Sequence, residues 1–250
     1  MAGELTGKVA LVTGGVRRIG RATALALASE GASVVINARS SLDEAKDAAA
    51  EVAKLGVKSR AILADVTDEN QVNAMTAEIV RDFGRLDILI NNAGIRKDAK
   101  LTEMALADWR AVMAVVLDGA FLCARAAIPH MINAGGGTII NIGGMTAHTG
   151  ASGRAHVSTA KAGLVGLTKA LAVEFADKGI TVNCVAPGKI GGKRSATAGK
   201  GGNIPGGGHP LVGREGTFEE VAQMIRTLCI PTGKFITGQT IHISGGLYLP

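Results

Sequence analysis

The sequence predicts an α/β fold: a single domain, residues 1–250, built on one doubly wound parallel sheet. Seven short apolar runs recur along the chain, and stretches with helical spacing lie between most of them. The runs are apolar almost without alternation, which suits strands covered on both faces, the usual condition of a parallel sheet. No linker, internal repeat or break in composition divides the chain.

The first run, KVALVTG (8–14), passes directly into TGGVRRIG (13–20), a glycine turn that opens a helix. The second, SVVINA (33–38), leads through Arg39 into a helix over 41–55. There Ala45, Ala48, Ala49 and Val52 share one face, and Asp43, Lys46, Asp47 and Glu51 fall elsewhere. KSRAILA (58–64) ends at Asp65, and LDILINN (86–92) precedes a long helical stretch over 101–132. GTIINI (137–142) runs into Gly143-Gly144, and a second long helix covers 153–178. ITVNCV (180–185) ends in Ala186-Pro187-Gly188, and QTIHIS (239–244) closes the pattern.

Composition narrows the function classes. Hydrophobic residues at 47% suffice for a buried core, and 35 glycines against 6 prolines point to tight turns rather than a disordered tail. No run approaches the ~18 uncharged apolar residues of a membrane span. The start, MAGELTGKVALVTGG, lacks the basic and apolar segments of an export signal, so a cytoplasmic protein is expected. Cys123, Cys184 and Cys229 lie far apart with no metal-ligand spacing and read as reduced core thiols. The net charge of +6 comes without a dense basic run or interleaved aromatics. A pocket for an anionic small molecule accounts for it as well as a nucleic-acid surface does, and no nucleic-acid partner is expected.

In doubly wound folds ligands sit beyond the carboxyl ends of the strands. The first such end, with Gly14 and Gly20, lets backbone approach a ligand closely and offers helix-start N–H groups to a diphosphate. Arg17 and Arg18 stand inside this turn and Arg39 ends the second run, where an NAD-selective site usually puts an acid; the first carboxylate here is Asp43. Guanidinium groups suit a 2′-phosphate, so NADP(H) is favoured over NAD(H). The alternative is that these arginines merely face solvent.

With that turn, NNAG (91–94), AKAG (160–163) and VNCVAPG (182–188) together, the chain resembles the short-chain dehydrogenase/reductase family. The likeness runs essentially the whole length, to FITGQTIHISGG (235–246). It implies a Rossmann-type domain, usually a tetramer, that moves hydride between NAD(P) and a small molecule. By that resemblance Gly14, Ile19 and Gly20 match the cofactor turn, with Arg18 where a middle glycine is common. Asp65 and Val66 match the adenine pocket, and Asn92, Ala93 and Gly94 the segment bordering the adenosine ribose. Lys161 matches the lysine on the nicotinamide ribose. Pro187, Gly188 and Ile190 match the nicotinamide-side loop, where a frequent threonine is Gly192.

The departures fall on the chemistry. The family's catalytic asparagine, serine and tyrosine would stand at Val116, Gly144 and Val157, so only Lys161 of that set remains. A positioned acid is worth roughly 10²–10⁴ in rate, and an oxyanion donor about 10²–10³. Candidate replacements are His148, Thr146 and Arg154, for which the ordinary readings are an exposed turn, a loop cap and a solvated charge. Ser158 lies near the Lys161 face of its helix. His156 points about 140° away and reads as a helix-surface or subunit-contact residue. Reduction of a conjugated C=C bond is a second solution, with Lys161 steadying an enolate and water supplying the proton. The Gly-rich segment at about 189–216, with Lys189, Lys193, Arg194, Lys200 and His209, reads either as a lid attracting an anionic substrate or as a solvated loop. Two functions remain open: an NADP(H)-dependent oxidoreductase with a non-standard proton donor, or a catalytically silent dinucleotide-binding protein.

Overall fold

The computed structural model describes residues 3–191 and 209–250. All seven expected strands form: β1 (Val9–Val12), β2 (Ser33–Ala38), β3 (Ser59–Leu63), β4 (Ile88–Asn91), β5 (Gly137–Ile142), β6 (Ile180–Pro187) and β7 (Thr240–Ile243). They make one sheet in the order β3-β2-β1-β4-β5-β6-β7, and every neighbouring pair is parallel. The chain reverses its lateral direction between β1 and β4, which opens a crevice at their carboxyl ends, the place such sheets hold ligands.

Alternate strand residues feed two cores. Ala10, Val12, Val34 and Ile36 pack with α1 (Arg18–Ala28), α2 (Leu42–Ala53) and, later in the chain, α8 (Phe218–Cys229). Val9, Leu11, Val35 and Leu89 pack on the opposite face with α3 (Glu69–Phe83), α5 (Gly119–Asn133) and Ala172 of α7 (Ala155–Phe175). This two-sided burial is why the strands lack a period-two polar pattern. Two helices carry capping signals: Asp68 accepts from the Asn70 and Gln71 amides at 2.9 and 3.1 Å, and Thr217 with Glu220 forms a capping box.

The stretch expected as one helix over 101–132 is broken. A 3₁₀ turn at Leu101–Glu103 precedes α4 (Leu106–Met113), and a π turn at Ala114–Asp118 joins it to α5. Gly119 lies against Val66, where a Cβ would come within 2.8 Å of Cγ2, so the strand-side approach depends on glycine there. Leu106–Asn133 is long and apolar enough to cross a membrane by length and composition, which the run-length reading had not anticipated. In the fold its Val112, Ala120, Cys123, Ala127 and Met131 are buried against protein, as in a core helix.

The described part of the loop after β6 is anchored at both ends. Ile190 bridges to Gly216, and the Gly191 amide donates to the Gly216 carbonyl at 2.8 Å. The expectations for Gly192, Lys193, Arg194 and Lys200 lie outside the described residues.

Candidate active site

The turn after β1 is fixed by its own Thr13 and by two side chains from the neighbouring strand ends, Asn92 and Asn37. Thr13 Oγ1 donates to the Ile90 carbonyl and accepts from the Asn92 and Ala93 amides, at 3.0–3.2 Å. Asn92 Nδ2 donates to the Thr13 and Gly14 carbonyls, both at 2.9 Å. Asn37, almost fully buried, accepts from the Gly14 amide at 3.4 Å and donates to the Ala64 carbonyl at 3.0 Å. Gly14 has φ +59°, and a Cβ on Gly20 would lie 2.7 Å from the Gly14 carbonyl oxygen. The turn is therefore a rigid cradle with no room for side chains on its inner wall. Ile19 is buried beneath it.

Its rim is cationic. Arg18, in the usual glycine position, adopts φ +53°, the left-handed region that costs a non-glycine residue about 1–2 kcal/mol. Arg17 pairs with Glu44 of α2 at 3.2 Å; both side chains are more than half exposed, so the pair is a weak one that a phosphate would readily displace. Arg39 is exposed at the end of β2 and makes no ion pair with a described residue. Farther along the strand ends, Asp65 accepts from the Thr67 amide and hydroxyl at 2.9 and 2.8 Å, while its own amide donates to Gln71. Val66 and Ala93 line one narrow crevice with Thr13 and Val116, and Gly94 is exposed at its edge, 3.8 Å from Val116 Cγ2 measured from an added Cβ.

A buried polar chain positions α7. Asn91 donates to Asn141 at 2.9 Å, Asn141 to Thr168 at 2.9 Å, and Thr168 to the Leu164 carbonyl at 2.7 Å. One turn earlier on that helix, Lys161 Nζ donates to the Ile142 carbonyl at the end of β5. Burial, with the positive charge of Arg96, brings the Lys161 ammonium down to about 8. The end of β5 is tied to β6 by Gly143 N–H to Val185 and Met145 N–H to Pro187, at 2.8 and 3.1 Å. Gly188 packs on Ser244, where a Cβ would meet Cα at 2.7 Å. Lys161, Gly144, Pro187 and Gly188 thus lie together at the carboxyl ends of β5 and β6.

The three positions of departure have distinct surroundings. At Gly144 an added Cβ would touch, among the described residues, only Lys161 Cγ, at 4.0 Å, so these residues leave space for a side chain. Val116, inside the π turn, and Val157 are buried in one apolar cluster with Val112, Ala160 and Leu164. Neither offers a proton.

The candidate donors scatter. Thr146 opens the short helix α6 (Thr146–Thr149) and is partly buried. His148, two residues on, packs on His242 and Tyr248 with ring centroids 4.5 and 5.3 Å away, which turns it toward the β7 edge. Burial, reinforced by the charge of Lys169, holds its pKa below the ordinary histidine value. Arg154 reaches back to Asp98 at 2.7 Å and is largely buried. His156 differs from the helix-surface reading: it is fully buried, and neither ring nitrogen has a hydrogen-bond partner among the described residues. The hydroxyl of Ser158 is likewise buried without a partner. His209 is exposed.

Asn37, at the end of the second run, was among the strand ends where ligands are sought, but its hold on the turn was not foreseen, and Arg96 was missed. Arg96 follows NNAG by two residues, on a loop whose neighbours Lys97 and Asp98 are ion-paired to Asp108 and Arg154.

Residues 14–248 match a family described as enoyl-(acyl carrier protein) reductase. A 3-oxoacyl-(acyl-carrier-protein) reductase, FabG, of Staphylococcus aureus is 40% identical over 248 residues, covering 97% of this chain and 98% of the relative. A 3-oxoacyl-(acyl-carrier-protein) reductase of Synechocystis sp. is 40% identical over 251 residues, covering 98% of each. Among solved structures, acetoin dehydrogenase YohF from Salmonella typhimurium superposes with TM-score 0.86 at 35% identity, covering 96% of this chain and 95% of that one.

Proposed function

Because the chain belongs to the short-chain dehydrogenase/reductase family, a family of oxidoreductases, we propose that it is an NADP(H)-dependent enzyme acting on a small-molecule ketone, alcohol or activated alkene without the usual tyrosine. The observation that carries the reading is the cradle at Gly14–Gly20. Its inner wall admits no Cβ at Gly20, its rim presents Arg17, Arg18 and Arg39, and no carboxylate stands at the end of β2. The relatives' names leave the reacting bond open, since the matching family is named for a C=C reductase and the similar proteins for C=O reductases.

The residues present fit a phosphorylated nicotinamide dinucleotide. The amides at the start of α1 would hold the diphosphate, the three arginines the 2′-phosphate, Asp65 and Val66 the adenine, Asn92–Gly94 its ribose, and Lys161, Pro187, Gly188 and Ile190 the nicotinamide end. When bound, the coenzyme supplies hydride. Asn92 and Asn37 keep the cradle rigid so that the reacting carbon meets a fixed face. Lys161, protonated below about 8, stands at the end of β5 where charge develops on a carbonyl or enolate oxygen. With Val116 and Val157 silent, the proton comes from Lys161, from Thr146 or His148 of the following loop, or from water reaching the space beside Gly144. Arg154 acts through the loop it ties to Asp98.

Fluorescence titration with NADPH and NADH, followed by NADPH oxidation over ketones and enones, tests the proposal. We expect NADPH to bind more tightly than NADH by about tenfold or more, and Arg39→Ala to erase the gap. Equal affinities, or no turnover with any compound class despite tight NADPH binding, would count against it.

One observation favours a second reading, a catalytically silent dinucleotide-binding protein: Val116 and Val157 are buried in one apolar cluster, and neither side chain can give a proton. Substantial wild-type turnover removes it. A homotetramer, working in the cytoplasm, is proposed with the function; exposed Phe121 on α5 and Val173 on α7 support burial against another copy.

A further inference from the structure

Three rings meet beside the edge of the sheet. His148 comes from α6, His242 from the edge strand β7, and Tyr248 from the segment after β7. The ring centroids lie 4.5 Å (His148–His242), 4.6 Å (His242–Tyr248) and 5.3 Å (His148–Tyr248) apart, with the two imidazoles edge to face. A tight turn brings Tyr248 back to the cluster: the Leu247 amide donates to the Ser244 carbonyl at 3.2 Å, and the Tyr248 amide to Ser244 Oγ at 3.4 Å. The rings therefore join α6 to residues 244–248.

Each imidazole has one nitrogen, His148 Nε2 and His242 Nδ1, that is buried with no hydrogen-bond partner among the described residues. A neutral imidazole can present a lone pair there. An imidazolium carries a proton on both nitrogens, which leaves a charged N–H without an acceptor. Charging both rings also sets two cations side by side. Among the described residues neither ring is ion-paired to a carboxylate. Lys169, exposed on α7, adds its positive charge to the surroundings of His148; His148 does the same to His242, and Tyr248 brings a phenol. Burial first, then these charges, hold both histidines below the ordinary value.

We propose that the His148–His242–Tyr248 stack is a pH-sensitive clasp, closed while both imidazoles are neutral, that fastens α6 to residues 244–248 and opens in mildly acidic medium. Its contribution is complete above the unfolded histidine value of about 6.5 and is lost as pH falls through the lower folded values. Opening bears on the site because α6 follows Gly144 closely. The Met145 amide donates to the Pro187 carbonyl at 3.1 Å, and Gly188 packs on Ser244, so the Pro187–Gly188 loop loses support from both partners and NADPH binds less tightly. That last step rests on the dinucleotide reading above; the clasp itself does not.

Hydrogen exchange of the full chain from pH 8 to pH 5, corrected for intrinsic rates, reads the clasp directly. Protection at 147–149 and 245–248 falls by about tenfold or more as the histidines charge, while the β2 amides at 34–37 keep theirs. His242→Gln removes one of the two charges and at least halves that fall on a logarithmic scale; Tyr248→Phe, which keeps the ring, changes little. Protection that ignores pH, or that falls as far in His242→Gln as in the wild type, overturns the inference. Should His242→Gln fail to fold, the wild type still decides: the assigned His148 and His242 ring resonances titrate below about 6.5, and midpoints at or above that value overturn the clasp. NADPH affinity, followed by fluorescence over the same pH range, falls in the wild type and less in His242→Gln. Constant affinity alongside lost protection overturns the coupling to the site, and a protein that binds no NADPH even at pH 8 overturns the dinucleotide reading while exchange still judges the clasp.

Discussion

The amide of Asn92 and the absent side chain of Gly20 share one space: a Cβ on residue 20 would sit 2.6 Å from Asn92 Nδ2. That nitrogen is already committed to the Thr13 and Gly14 carbonyls. Gly20→Ala therefore forces the amide off the turn and leaves two carbonyls short of a donor, at a cost of about 1–3 kcal/mol. We expect a lower Tm and NADPH affinity reduced by about tenfold or more in the same variant. Thermal unfolding with and without NADPH reads both; an unchanged affinity would mean that the cradle does not contact the coenzyme.

Arg18 separates stability from binding. Its φ of +53° suits glycine, so Arg18→Gly relieves about 1 kcal/mol of backbone strain. A protein of this size then gains about 2–4 °C in Tm. If the guanidinium holds the 2′-phosphate, the same change lowers NADPH affinity and spares NADH. A variant both more stable and unaltered toward NADPH would show that the strain serves something else.

Asp87 makes stability depend on pH. It is buried between the starts of β1 and β4, forked to Arg85 at 2.7 and 2.5 Å and bonded to Lys8 and the Val9 amide at 3.1 and 3.0 Å. Burial raises its pKa, but Arg85, the Val9 amide and Lys8 together outweigh that and hold it below the ordinary value. A carboxyl depressed in the folded state stabilises fully above its unfolded pKa of about 3.9, and that contribution is lost as pH falls through the folded value. Asp87→Asn should cost about 2 kcal/mol at pH 7, the modest size reflecting the partial exposure of Arg85 and Lys8. The gap between the two proteins should close as pH drops below the carboxylate range, a trend that denaturant unfolding at stepped pH follows directly.

The sheet was legible because burial on both faces left seven apolar runs that tolerate few polar residues. Helix continuity was less so: nothing in AVMAVVLDGAF announces the π turn at Ala114–Asp118, which leads into the close approach of Gly119 to Val66. The cofactor cradle followed from its glycines, yet Asn37 was legible only as a strand end, and its tie from the cradle to the Ala64 carbonyl after β3 was not, because a strand-end asparagine has many uses. Around Lys161 the sequence told which groups were missing but not where the remaining ones point. Helical phase could not foresee that Arg154 is occupied by Asp98, that His148 stacks on His242 and Tyr248, or that His156 is fully buried. The first two outcomes depend on partners more than fifty positions away.

The missing chemistry can be put back one group at a time. Gly144 has room for a hydroxymethyl group beside Lys161, so Gly144→Ser should fold as the wild type does. Val157→Tyr is harder, because Val157 packs on Val112, Val116 and Leu164 and a ring must leave that cluster for the crevice; some loss of Tm is expected. If the wild type works by a slower donor, the double variant gains about 10²–10⁴ in kcat toward a simple ketone such as 2-butanone, the worth of a positioned acid. If the chain is instead catalytically silent, the wild type gives no turnover of 2-butanone and only the double variant moves hydride. Parallel kcat/KM measurements on the wild type and the double variant distinguish a slow enzyme from a silent dinucleotide-binding protein, since only the former has a wild-type rate to raise.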